Sequence, residues 1–182
     1  MRYLVLAALV PFLAAGCASW APVGGTYTSG QGGFSVVLPE GWMRAGTAEP
    51  IVITRDGVLL QYIQIERFPV DKEFRHTKKK LAAGMRPLEA AEVIMDDLAS
   101  DQSMRNVTVL ESAPVPVAGH PGFRVVFAFR STSHVRMKGV YYGVLVGGHF
   151  YSLRYTAADR HYFDRDLEAF ERLCRTFRIA GG

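Results

Sequence analysis

"FRVVFAFR" (residues 123–130) and "VYYGVLVGGHFYSLRY" (residues 140–155) decide the fold. In the first, Phe123, Val125, Phe127 and Phe129 alternate with Arg124, Val126, Ala128 and Arg130. That period of two belongs to a strand with one strongly apolar face and one mixed face. In the second, residues 140–146 are apolar on both sides, so both faces of the sheet must be covered there. Gly147 and Gly148 then supply a two-residue hairpin turn into a strand over residues 149–155.

Working outward, two segments carry a helical period. Pro87 suits a first helical turn and opens a helix to residue 99, with Leu88, Ala91, Met95 and Leu98 on one buried face. Its outer face carries Glu89, Glu92, Asp96 and Asp97, which solvation explains. Asp159 can cap a second helix whose stripe is Phe163, Leu167, Phe170 and Cys174. Upstream, Phe34, Val36 and Leu38 form a strand face that "LPEG" (residues 38–41) turns off. Residues 51–54 and 59–67 read as strands joined across Asp56 and Gly57. Residues 71–80 are polar and basic, a loop or frayed helix, residues 106–111 are a strand, and "PVPVAGHPG" (residues 114–122) is a turn-rich link. Strands joined by hairpins, with a helix between and a helix after, define an α+β fold: an antiparallel β-sheet flanked by helices.

The chain has 182 residues, 49% hydrophobic and 21% charged, which suits one globular domain. A net charge of +4 is mild and unclustered, so no nucleic acid is expected as a partner. A monomer is expected.

Ahead of the domain, Arg2 precedes an apolar run over residues 4–15, too short for the ~20 residues that cross a bilayer but suited to a secretory signal. "LAAGC" (residues 13–17) then resembles the lipobox of bacterial lipoproteins. The resemblance implies a signal peptide over residues 1–16, cleavage after Gly16, and a diacylglyceryl group on the Cys17 sulfur. Two acyl chains are what stable anchoring needs, at about 0.8 kcal/mol per buried methylene. An ordinary secretory signal that leaves Cys17 a bystander is the alternative. Ala18 and Ser19 after the cysteine point, by Gram-negative sorting rules, to the outer membrane facing the periplasm. A Gram-positive source would give the outer face of the cytoplasmic membrane. Residues 17–33, rich in Gly, Ser and Thr, read as the lipidated cysteine and a flexible tether, with a short strand at residues 26–29. The domain then spans residues 34–180. With Cys17 acylated, Cys174 has no partner and reads as a small core residue.

"GGFSVVLPEGW", "VAGHPGFRVVFAF", "GGHFYSLRYTA" and "FERLCRTF" stand in that order and resemble the PsbP-like family and its bacterial DcrB-type lipoprotein relatives, over residues 27–179. The resemblance implies an α/β/α sandwich around an antiparallel sheet. Members mostly act as binding or assembly proteins and share no catalytic motif, which implies a binding role here.

No chemistry-bearing constellation competes with that. His76, His120, His134, His149 and His161 are dispersed, without metal-ligand spacing. No Gly-x-Ser-x-Gly elbow is present, and Asp96 with Asp97, or Asp164 with Asp166, lie on expected helix surfaces. No cofactor or catalytic residue is expected. Two surface features remain as candidates. Arg75, His76, Lys78, Lys79 and Lys80 form a basic run suited to lipid headgroups or an acidic partner. Arg124, Arg136, Lys138, Tyr142 and Arg154 make a candidate polar patch. The sequence thus reads as a lipid-anchored envelope accessory protein with a protein partner. The alternatives are a small-ligand carrier with a pocket under the helices and, third, an uncharacterised enzyme.

Overall fold

In the computed structural model, which describes residues 20–30, 33–46 and 49–180, one sheet carries a helix on each face. The elements are β1 (Trp20–Thr28), β2 (Phe34–Ala45), β3 (Ile51–Thr54), β4 (Gln61–Pro69), α1 (Pro87–Ala99), β5 (Arg105–Val117), β6 (His120–Arg130), β7 (Arg136–Val146), β8 (His149–Ala158), α2 (Tyr162–Thr176) and β9 (Arg178–Ile179). The strand order is β1-β2-β3-β4-β8-β7-β6-β5, with β9 on β2, and each pairing is antiparallel. The α+β fold with a covered antiparallel sheet stands as the sequence indicates.

The central strands explain why. Phe127 pairs with Gly139 and Phe123 with Gly143. Each ring lies over the bare glycine across from it, where a Cβ would come within 2.3 Å and 2.4 Å of ring carbons. The rings of Phe123, Tyr141 and Phe150 stack there. This face is covered by Ala90, Ala91, Ile94 and Met95 of α1. On the other face Ile51, Ile53, Ile63, Ile65, Leu153 and Tyr155 are buried under Phe163, Phe170 and Leu173 of α2. Each such side chain contributes about 1.5–3 kcal/mol by leaving water.

Several local expectations are corrected. The tether is not free over its whole length, because Trp20–Thr28 pair with β2 as the edge strand β1. "LPEG" does not end its strand. β2 continues through it, and Pro39, Glu40 and Gly41 form a bulge between Leu38, opposite Gly25, and Trp42, opposite Val23. Residues 59 and 60 are not strand. Gly57 O accepts from the N–H groups of Leu60 and Gln61, a tight turn that delays β4 to Gln61. The proline-rich link is strand as well: Pro114 pairs with Phe123 and Pro116 with Pro121. β5 ends the sheet, so its outer side needs no N–H donors, and the turn falls at Ala118 and Gly119. In α1 the buried face is rotated toward Ala90 and Ile94, leaving Leu88 40% exposed. Asp159 does not cap α2; it pairs with Arg136 and Lys138. Asp166 is buried rather than on the surface.

Candidate functional site

A cleft of about 440 Å³ opens between α1, the loop over residues 71–80 and the α1-facing side of the sheet. Its floor is a polar patch laid across three strands. Gln64 of β4 pairs with Arg154 of β8, which pairs with Tyr141 of β7. One step along, Glu66 pairs with Ser152, which pairs with Gly143. In the middle of a sheet covered on both faces, polar side chains survive only where a solvated cavity or a hydrogen-bond network meets them. Here both do. Arg154 Nη2 donates to Gln64 Oε1 at 2.6 Å and its guanidinium lies 5.6 Å from the Tyr62 ring centroid. Gln64 Nε2 donates to Glu66 at 3.3 Å, and Lys72 reaches Glu66 at 3.4 Å.

The walls are charged in both signs. Asp97 and Asp101 come from the α1 side, Lys72, Arg75 and His76 from the loop. Phe74 packs edge-on against Phe68 at 5.7 Å and fixes the loop at one end. Burial pushes the Tyr141 phenol up to about 12 despite the Ser152 hydrogen bond, so it stays protonated. Burial also pushes the Asp101 carboxyl up, but the Ser103 N–H and hydroxyl, with His76 and Arg154 nearby, outweigh it and hold the group below the usual value. Neither group exchanges a proton near neutral pH.

The structure divides the two sequence candidates. Arg75 and His76 line the cleft, whereas Lys79 pairs with Asp96 at 2.5 Å and Lys80 with Glu73 at 3.4 Å. Asp97 accepts from the His76 and Thr77 N–H groups and the Thr77 hydroxyl at 2.9–3.1 Å. Lys78 stands at a left-handed position, φ 59°, in the same closed loop. Asp96 and Asp97 of α1 are thus not merely solvated. They sit at the helix end where the backbone dipole disfavours negative charge, and the basic loop offsets that. Of the polar patch, Arg124, Arg136, Lys138 and Tyr142 lie on the α2-facing side, and Arg154 lies on the opposite face, in the cleft. Tyr142 donates to Glu171 at 2.6 Å, and Arg124 bridges Glu171 and Glu111. Arg136 and Lys138 share Asp159.

Gln64, Glu66, Tyr141 and Ser152 escape a reading by composition or motif. Their signal lies in "QYIQIERF" (residues 61–68), where Ile63 and Ile65 alternate with Gln64 and Glu66 in what proves a central strand. Cys17 lies outside the described residues. Cys174 is a free thiol, partly buried against the edge of the α2-side core rather than inside it, and burial pushes it well up. Among the described residues no cluster of His, Cys, Asp and Glu could hold a metal ion, and no helix is long and apolar enough to cross a membrane.

No protein-family profile and no curated protein sequence matches the chain. Solved structures do. PsbP of the cyanobacterium Synechocystis sp. PCC 6803 superposes with a TM-score of 0.59 at 14% identity, covering 94% of this chain and 98% of that one. The yeast Saccharomyces cerevisiae Ran-binding protein Mog1p gives 0.57 at 10% identity, over 87% and 96% of the two chains. LpqN of Mycobacterium tuberculosis, described as involved in cell envelope biogenesis, gives 0.52 at 9% identity, over 88% and 90%. The chain has the PsbP-like fold.

Proposed function

We propose that this protein is a lipid-anchored accessory protein of the bacterial cell envelope that acts by binding, without catalysis, and that the cleft under α1 receives a charged segment of a membrane-associated protein partner. The observation that carries the reading is the Gln64–Arg154–Tyr141 row, a polar floor set into the middle of a covered sheet. A fold with no use for it would fill that space with apolar side chains, as Ile51, Ile53, Ile63 and Ile65 do under α2. The lipobox ending at Cys17 supports the anchor, and two proteins that share the fold, the Ran-binding Mog1p and the envelope-biogenesis protein LpqN, fit a binding role. The outer membrane, periplasmic side, is the location the residues after Cys17 favour, and a DcrB-type lipoprotein is the kind of relative this makes it.

A photocrosslinking residue in place of Arg75, in the anchored chain and its own envelope, is expected to capture one protein species, and Arg154→Ala to abolish the capture. The cleft volume favours a second reading, since small-molecule sites occupy about 300–1,000 Å³. On that reading native mass spectrometry shows a bound small solute that Arg154→Ala releases. A chain that captures no protein and retains no solute overturns both.

A further inference from the structure

One end of the sheet gathers cations and apolar side chains that the fold itself does not use. Arg105 pairs with Arg130, and Arg130 pairs with Arg136. Side chains of directly opposed residues share a face, so three arginines stand abreast on neighbouring strands whose backbones run about 5 Å apart. Like charges in that arrangement destabilise a sheet. Arg136 is offset by Asp159 at 3.4 Å, but Arg105 and Arg130 have no ion-pair or side-chain hydrogen-bond partner among the described residues. A row of uncompensated charge is a feature that a ligand of opposite charge would explain.

The same end carries an apolar tip. Ala158 N–H donates to Leu60 O at 2.8 Å and Asp159 N–H donates to Arg136 O at 2.9 Å, so Leu60 and Arg136 flank the end of β8. Val58, Leu59 and Leu60 are consecutive and exposed, Leu59 by 88%. The loop is fixed: Thr54 Oγ1 accepts from Gly57 N–H at 2.9 Å, Gly57 O accepts from Leu60 and Gln61, and Arg165 ties Asp56 to α2. Val135, in the neighbouring β6–β7 turn, is exposed as well.

We propose that this end of the sheet is a peripheral docking surface for an anionic phospholipid bilayer. The Val58–Leu60 tip enters the acyl boundary, and Arg105, Arg130 and Arg136 lie at the level of the lipid phosphates. Exposed aliphatic side chains at the same end of the sheet as an arginine row match the layering of an anionic interface, apolar below and phosphate above. The basic loop over residues 75–80 is the weaker candidate for this role, because Lys79 pairs with Asp96 and Lys80 with Glu73. The surface is separate from the cleft and does not depend on what the cleft binds.

The test uses the chain carrying Cys17→Ser, which cannot be acylated. It is expected to co-sediment with phosphatidylglycerol/phosphatidylethanolamine vesicles and not with phosphatidylcholine vesicles. The triple variant Arg105→Gln, Arg130→Gln, Arg136→Gln should lower partitioning by more than about tenfold, and Leu59→Ser by about tenfold. Lys78→Gln, Lys79→Gln, Lys80→Gln should leave it unchanged. Equal binding to both vesicle types, no binding to either, or a Leu59→Ser chain that partitions like its parent overturns the proposal. Leu59, Lys78, Lys79, Lys80, Arg105, Arg130 and Arg136 are all exposed, so loss of binding with an unchanged thermal midpoint reports the surface rather than the fold.

Discussion

The two faces of the sheet are covered by helices of similar length in opposite ways. α2 lays large side chains, Phe163, Phe170 and Leu173, on a floor of isoleucines and Tyr155, and stacks Phe163 and Phe170 on the Tyr155 ring at 5.6 and 5.5 Å. Its single buried acid, Asp166, with a side chain 3% exposed, accepts from Arg55 at 2.9 Å, Gln61 at 2.8 Å and Arg165 at 2.6 Å. α1 presents two alanines, with Ile94 and Met95 as its large buried residues, and beyond them Ile94, Asp97, Leu98 and Asp101 wall the cleft instead of closing it. The α2 face is closed by large side chains and a buried ion-pair cluster, with clefts of about 560 and 650 Å³ beside the helix, whereas the α1 face opens a cleft of about 440 Å³ onto polar residues of the central strands.

Substitutions can break that contrast. Phe170→Ala is expected to cost about 4 kcal/mol in chemical denaturation, because the cavity is closed in by Tyr142 and Tyr155. Ile94→Ala should cost about half as much, since its neighbours include the solvent already in the cleft. Equal losses would mean that the cleft closes in solution. Next in size, Asp166→Ala should cost about 3 kcal/mol, because Gln61 is fully buried, its Oε1 already lacks a partner, and its amide N–H groups then lose their best acceptor. Arg55 and Arg165 regain water in part, which keeps the loss at the low end for a broken buried pair. Gly143→Ala should cost about 2 kcal/mol by forcing the Phe123 and Phe150 rings apart.

The central strands were far more legible in the sequence than the cleft. Alternation in "FRVVFAFR" and the two-sided apolar run after Val140 fix the central strands, because burial on both faces leaves few residue types that work. The bounds of α1 follow from Pro87. What the sequence could not show was which acid meets which base. Asp97 with the loop backbone, and Asp166 with Gln61, are contacts 20 and 105 residues apart, and nothing local distinguishes either aspartate from a solvated one. The arginine row was hidden for the same reason. Arg105, Arg130 and Arg136 become neighbours only when the strand register is known.

Smaller effects sharpen the comparison. Asp97→Asn keeps the shape but weakens three hydrogen bonds to the loop, and should cost about 1 kcal/mol. Its clearer signature is faster amide exchange at His76 and Thr77, with the α2 face unchanged.

The smallest effect is in acid. Arg165 beside Asp56 holds that carboxyl below its ordinary value, on the α2 side of the molecule. Asp101 is also lowered, with burial opposing and the Ser103 bonds prevailing, on the α1 side. A carboxyl lowered in the folded state gives stability that is present above its unfolded pKa of about 4 and is lost as pH falls through the folded value. The thermal midpoint should therefore hold between pH 7 and pH 5 and fall below about pH 4. Asp56→Asn should flatten part of that fall while lowering the midpoint at neutral pH, and Asp101→Asn should flatten another part. If Asp56→Asn leaves the acid limb unchanged, the loop bearing Val58, Leu59 and Leu60 is not clamped to α2 in solution. The α2 side would then lose its hold on the tip that the proposed membrane contact uses.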